Sequence, residues 1–128
     1  MATSSQTPTS WRALQDARQQ NELSYQTTCS YQGLPDSSHI AMQATPDAVL
    51  VTATDIDVLA EWLFVQGGTV TTVDLPSGQT VWTLHTRTWS DSPKFPPVPV
   101  HLSVVMVTGE SVIWEIEEAT RTAREAVA

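Results

Sequence analysis

The sequence predicts an α+β domain with a mainly antiparallel sheet of three to five strands. β-branched residues are abundant, with 18 Thr and 14 Val in 128 residues, and such residues favour extended strands. The hydrophobic period also changes at Gly68, from about 3.6 residues before it to about 2 residues after it. A central helix and a C-terminal helix are expected to pack on one face of the sheet, with an N-terminal helical appendage.

The first part of the chain, residues 1–38, is expected to lie outside the compact domain. Residues 1–9 have no apolar periodicity, which is typical of a disordered tail. A short helix is predicted over about residues 11–20. Residues 21–38 are rich in polar and turn-forming side chains, and they predict an irregular connector. The compact domain is therefore expected over residues 39–128.

The central helix is the best-marked element, and two short strands are predicted before it. An edge strand is expected over residues 39–44 and a second strand over residues 48–52. Residues 54–57 resemble a capping box with Asp in place of Glu, which predicts the start of a helix. This helix should run to about Gln66, where Gly67 supplies a left-handed C-cap.

The segments after the central helix predict a hairpin and a third strand. Residues 69–75 and 79–89 alternate apolar and polar side chains and should pair through a tight turn at residues 76–78. A loop rich in proline follows, because proline is excluded from the interior of a sheet. Residues 98–108 then predict the third strand.

The tail of the chain predicts a helix over residues 119–128 that begins as early as Glu110. Its apolar residues fall on one stripe, and Glu117 and Arg121 form an i,i+4 pair in the favourable order. The alternative is a strand over residues 111–116, where apolar side chains alternate.

The charge of the chain excludes several classes of partner. It has six basic and 14 acidic residues and a formal net charge of −8, whereas phosphate binding needs several clustered cations. No stretch approaches the roughly 20 apolar residues that a membrane helix needs, and the N-terminus lacks the apolar segment of a secretory signal. We therefore expect a cytoplasmic protein that binds neither nucleic acid nor membranes directly.

Two histidines occupy the middle of neighbouring predicted strands. His85 and Arg87 share one face of the second hairpin strand, and His101 and Ser103 share the polar side of the next strand. In a suitable register these four residues would cluster, and they could bind a small anion or act in acid–base chemistry. The favoured alternative is an ordinary half-solvated sheet face, which carries the same residue types.

The sequence predicts no metal, no cofactor and no catalytic centre. A metal site beside His85 and His101 would need a third ligand, which the sequence does not place. Asp55 and Asp57 fit the first turn of the central helix, where the helix dipole favours carboxylates. Cys29 is the single cysteine, so it forms no intrachain disulfide, and no histidine stands at a recognisable motif spacing from it.

The central helix is apolar almost all round, which is typical of a helix that is buried on both sides. Val58, Trp62 and Val65 would leave an apolar patch of a kind that monomers rarely expose. We expect a second copy to cover this patch in a two-fold dimer, with Trp11 as a further interface residue. The alternative is that the C-terminal helix packs over Trp62 within one chain.

These observations predict a small acidic protein that acts by protein–protein interaction and not by catalysis. It would be an accessory or regulatory protein of the kind that phages and mobile elements encode, and its partner would be another protein or a second copy of itself. The alternative is a small-anion-binding module or enzyme that uses the polar sheet face with His85, Arg87 and His101.

Overall fold

The computed structural model describes residues 10–35, 39–90 and 96–127, and it has the predicted α+β class. Its elements, in chain order, are α1 (Trp11–Gln32), β1 (Ile40–Ala44), β2 (Val49–Ala53), α2 (Ile56–Gln66), β3 (Thr69–Asp74), β4 (Gln79–Arg87), β5 (Pro99–Val107) and α3 (Trp114–Val127). The strands form one sheet in the order β1-β2-β5-β4-β3. Three neighbouring pairs are antiparallel, and β2 and β5 run parallel. The predicted disorder of residues 1–9 lies outside the described residues.

The first helix is about twice as long as expected. It begins after Ser10, whose hydroxyl accepts a hydrogen bond from a backbone N–H in the first turn, as N-cap residues do. It ends at Gln32, and Gly33 then adopts a left-handed φ of 66°. The prediction that the helix ends near Gln20 is therefore wrong. The irregular connector predicted over residues 21–38 is wrong for residues 21–32, which are helical.

Polar side chains tie α1 to the rest of the domain. Asn21 Nδ2 donates a hydrogen bond of 2.8 Å to the carbonyl of Thr45. The hydroxyl of Thr28 accepts one of 3.0 Å from the backbone of Trp89. Tyr25 and Cys29, on the same helix, belong to the hydrophobic core that the sheet forms. The prediction of a separate N-terminal appendage is therefore wrong for α1, and the boundary expected at residue 39 divides residues that share one core.

The core lies on one side of the sheet because the central strands are apolar on that side only. The side chains that point to it from β2 and β5 are at most 3% exposed: Val49, Val51, Ala53, Val100, Leu102 and Val104. All three helices contribute buried residues to this core, as Tyr25 of α1, Leu59 of α2 and Ile116 of α3 show. The domain therefore has two layers, with helices over one face of the sheet.

The central helix and the hairpin are confirmed, with small corrections at their ends. Asp55 alone is the N-cap of α2, and its carboxylate accepts a hydrogen bond from Asp57 N. The C-cap Gly67 has φ 73° and ψ −165°, so it is not the expected left-handed cap. β3 and β4 pair antiparallel as predicted, although β4 ends at Arg87 and not at Trp89.

The third predicted strand and the C-terminal helix are also present. β5 covers all but one residue at each end of the predicted range. α3 begins at Trp114, inside the interval that the tail predicts, and residues 111–113 have no regular structure. The alternative strand over residues 111–116 is therefore wrong.

Trp62 is the largest fully buried side chain, at 0% exposure. Its ring stacks on the ring of Tyr25, with centroids 5.7 Å apart and planes 11° from parallel. The expectation that Trp62 forms part of an exposed interface is therefore wrong, because α1 covers it within the same chain. The ring that stacks on Trp62 belongs to α1, and the alternative that α3 also packs over Trp62 stays a prediction.

Replacement of Trp62 by alanine should lower the free energy of unfolding by about 3–5 kcal/mol, because it leaves a cavity between α1, α2 and the sheet. Trp11→Ala is the matched control. Trp11 is 75% exposed, so this change should cost no more than about 0.5 kcal/mol. Urea unfolding of both variants measures the difference, and equal losses would contradict the assignment of Trp62 to the core.

Candidate functional site

The face of the sheet opposite the helices is not covered by any described helix. We call it the open face. It is formed by alternate residues of all five strands: Ala41, Gln43, Leu50, Thr52, Thr69, Thr71, Val73, Gln79, Val81, Thr83, His85, Arg87, Pro99, His101, Ser103, Val105 and Val107. An antiparallel sheet can leave one face to solvent if that face carries polar side chains. The open face instead combines polar groups with four large apolar side chains that are exposed: Leu50, Val73, Val105 and Val107.

Strand pairing arranges the open face in rows that run across the strands. The valine row contains Val73, Val81 and Val105. The hydroxyl row contains Thr71, Thr83, Ser103 and Thr52. The histidine row contains Thr69, His85, His101 and Leu50. The face therefore changes from apolar, through hydroxyl groups, to imidazoles along the strand direction.

The two histidines face each other directly across β4 and β5. Their Nδ1 atoms are 3.0 Å apart, a hydrogen-bond distance, and their rings meet edge to face with centroids 5.1 Å apart. Thr71 Oγ1 lies 2.7 Å from Nε2 of His85, so both nitrogens of this ring have partners. In the next row the hydroxyls of Thr83 and Ser103 are 3.0 Å apart. Short hydrogen bonds thus connect the centre of the open face.

Burial lowers the pKa of His85 below its ordinary value of 6.5, and the nearby charge of His101 lowers it further. The His85 ring is therefore neutral at neutral pH. A neutral ring attracts an anion less than a protonated ring does, and one of its nitrogens carries a lone pair that accepts a hydrogen bond. Backbone packing behind the pair is tight, because a Cβ at Gly68 would overlap the carbonyl oxygen of His85. The position of the His85 backbone thus depends on glycine at the α2–β3 junction.

Three of the four residues that the sequence groups as a ligand face lie close together. His85 and His101 are in contact, and Ser103 stands in the adjacent row. Arg87 lies on the same face but at the end of β4, where it pairs with Pro99 and is exposed. The use of these residues as a ligand site stays a prediction.

Carboxylates are absent from the described open face, although the chain has 14 acidic residues. Its only formally charged side chain is Arg87. Asp74, on the edge strand β3, points to the helix side and accepts a hydrogen bond from the hydroxyl of Thr80. Depletion of charged residues is the compositional mark of the centre of a protein–protein interface.

The residues predicted as an interface on the central helix do not form one exposed patch. Trp62 is buried, and Val58 is half-buried against the core. Val65 is exposed near the end of α2, and Trp11 is exposed at the start of α1. The exposed patch predicted on α2 therefore lacks Trp62, its largest side chain.

Sequence reasoning missed a cleft on the helix side, between the hairpin and α3. It has a volume of about 480 Å³ and is lined in part by Asp74, Trp82 and Glu117. Trp82 is half-buried there and packs against the core. The sequence does not predict this cleft, because the hairpin residues and the α3 residues that line it are about 40 residues apart in the chain.

Comparison of the chain with protein-family models, curated proteins and solved structures finds no match. In the part of the chain that the structure describes, no helix combines the length and apolar character needed to cross a membrane. The same residues contain no group of three or more His, Cys, Asp or Glu side chains placed to hold a metal ion. The open face, with its exposed apolar side chains and its histidine pair, is the candidate functional surface.

Stability should decrease as the pH falls below about 6.5, through the titration of His85. The folded-state pKa of this residue lies below 6.5, so in that range the unfolded chain binds more protons, and the free energy of unfolding decreases with falling pH. Thermal unfolding from about pH 7.5 to about pH 5.5 should show a smaller decrease for His85→Gln than for the wild type. A decrease in His85→Gln as large as that of the wild type would contradict the prediction.

Proposed function

We propose that this is a small non-catalytic accessory or regulatory protein that acts by protein–protein contact through its open face. The observation that supports this most directly is a five-stranded sheet that helices cover on one side only, with large apolar side chains exposed on the other. Monomeric proteins rarely leave a large contiguous apolar surface exposed, and such surfaces commonly mark interaction sites. We further propose that it acts in the cytoplasm, where the thiol of its single cysteine would stay reduced.

The mixed composition of the open face supports reversible association. Obligate interfaces resemble a domain core cut in half, whereas non-obligate interfaces are about as apolar as the rest of the surface. Here the valine row is apolar, and the hydroxyl and histidine rows are polar with internal hydrogen bonds. These polar groups are already paired, so their burial would leave few unsatisfied donors.

We propose that the occupant of the open face is a second copy of this chain. Five strands about 4.8 Å apart and about 17–30 Å long give a face roughly 24 Å wide. Its area is therefore about 400–700 Å², which approaches the area of about 800 Å² that each partner buries in a standard interface. Two chains of charge −8 repel each other, but contact through a face without carboxylates leaves their acidic groups outside the interface. A closed two-fold dimer is the commonest such assembly.

A two-fold axis placed along the hydroxyl row would be compatible with such a dimer. Rotation about this axis reverses the strand direction, so the histidine row of one copy would meet the valine row of the other. The hydroxyl rows would face each other, and the two Arg87 side chains would lie at opposite ends of the interface. This places the histidine row against apolar groups and separates the Arg87 charges of the two copies.

The alternative function, binding of a small anion at His85, Arg87 and His101, has weaker support. The lowered pKa of His85 leaves its ring uncharged at neutral pH. Arg87 pairs with Pro99, in the next row of the face and two residues beyond His85. Anion recognition needs donors or positive charge that converge on one point.

The substitution Val105→Glu should disrupt the dimer, because it places a charge in the valine row. Val65→Glu is a closely matched control, since Val105 and Val65 are 43% and 44% exposed and Val65 lies on α2. Sedimentation equilibrium at micromolar concentrations should show a dimer for the wild type and for Val65→Glu. It should show a 14.0 kDa monomer for Val105→Glu.

Two results would contradict this proposal. A wild-type chain that stays a 14.0 kDa monomer would exclude the second copy as the occupant. Loss of the dimer in Val65→Glu with retention in Val105→Glu would move the interface to α2. Far-ultraviolet circular dichroism checks that the variants are folded, and Val73→Glu, at the exposed edge of the valine row, provides a second test of the same row.

A further inference from the structure

We propose that His85 and His101 together bind one divalent transition-metal ion. Imidazole nitrogen is a common protein ligand for zinc, copper and nickel. The two side chains extend from directly opposed positions of β4 and β5, so the sheet holds them on a rigid base. The site belongs to a chain whose open face is free, because the proposed dimer would cover the histidine row.

The distance between the two ring nitrogens fits a shared metal ion. Metal–nitrogen bonds are about 2.0–2.1 Å long, so two nitrogens on one ion lie about 2.9 Å apart at a right angle and about 3.4 Å apart at the tetrahedral angle. The Nδ1 atoms of His85 and His101 are 3.0 Å apart. The two nitrogens are therefore already at the separation of a shared ion, and each ring would turn by roughly 40° to direct its lone pair at that ion.

The surroundings of His85 favour the form that a metal requires. A histidine ligand must present a nitrogen lone pair to the ion. Thr71 Oγ1, 2.7 Å from Nε2, can accept the Nε2 proton and leave the Nδ1 lone pair directed at His101. Metal-binding histidines commonly donate their second nitrogen to such a partner, which fixes the tautomer and the ring orientation.

Metal binding needs one proton to move within the pair. With Nδ1 of His85 as an acceptor, the hydrogen bond between the rings is donated by Nδ1 of His101. The proton on Nδ1 of His101 moves through solvent to Nε2 of the same half-buried ring. The Nδ1 lone pairs of both histidines then bind the ion, and the net charge of the protein does not change. Water fills the other coordination positions, since the open face has no described carboxylate.

The ligand set selects the class of ion. Two imidazoles favour Cu²⁺ over Zn²⁺ by the general order of divalent affinities. Mg²⁺ and Ca²⁺ require oxygen ligands, so they should not bind at this pair. The site is therefore expected to hold borderline-soft ions and to leave hard ions in solution.

Isothermal titration of the full chain with ZnCl₂ and CuCl₂ tests the proposal. One ion should bind per chain, Cu²⁺ more tightly than Zn²⁺, and MgCl₂ should give no binding heat. His85→Gln and His101→Gln should each weaken Zn²⁺ binding by at least about tenfold, and Thr71→Val, which removes the hydroxyl but keeps the shape, by about 10–100-fold. His39→Gln, outside the pair, should leave the affinity unchanged.

The proposal is overturned if His101→Gln binds Zn²⁺ as tightly as the wild type, or if His39→Gln loses as much affinity as His101→Gln. Side-chain histidine NMR gives a second readout, because only the rings of His85 and His101 should shift when Zn²⁺ is added. Repeating the titration on Val105→Glu separates this site from the proposed dimer. Zn²⁺ binding to this monomeric variant supports the metal site alone, whereas a monomeric Val105→Glu chain that does not bind Zn²⁺ removes the metal site and leaves the dimer proposal intact.

Discussion

The burial of one side of β5 determines where the functional groups of the sheet lie. Val100, Leu102 and Val104 are fully buried under the helices, and side chains alternate along a strand, so His101 and Val105 must point to the opposite face. β5 is the central strand, and it sets the register of β2 on one side and β4 on the other. A slip of one residue would bury the histidine and expose the core valines, which makes such a slip costly.

The histidine pair is therefore a consequence of the core and not a source of stability. Leu84 is fully buried on β4, which places the next residue, His85, on the open face opposite His101. Protonation of His85 weakens the fold, because burial and the nearby charge of His101 disfavour the charged ring. A solvated pair of threonines would fill the same positions without this cost. A bound metal ion, as proposed above, would offset this cost.

The sequence predicts the local elements well, but it does not show contacts between distant segments. The hairpin follows from the alternation of side chains and a turn at residues 76–78. The opposition of His85 and His101 depends in addition on the β4–β5 register, which the sequence leaves open. The length of α1 is missed because Asn21 and Thr28 read as loop residues, whereas they form hydrogen bonds with partners far along the chain. The valine row is missed for the same reason, since it exists only once three strands are placed in order.

The central claim is that the protein makes its contacts through the open face and not through the helices. Backbone amide NMR spectra recorded from micromolar to millimolar concentration test it most directly. The open-face account predicts concentration-dependent shifts concentrated on β4 and β5, including Val81 and Val105, with α2 residues such as Glu61 and Val65 unchanged. Shifts confined to α2, or spectra that do not change with concentration, would contradict it.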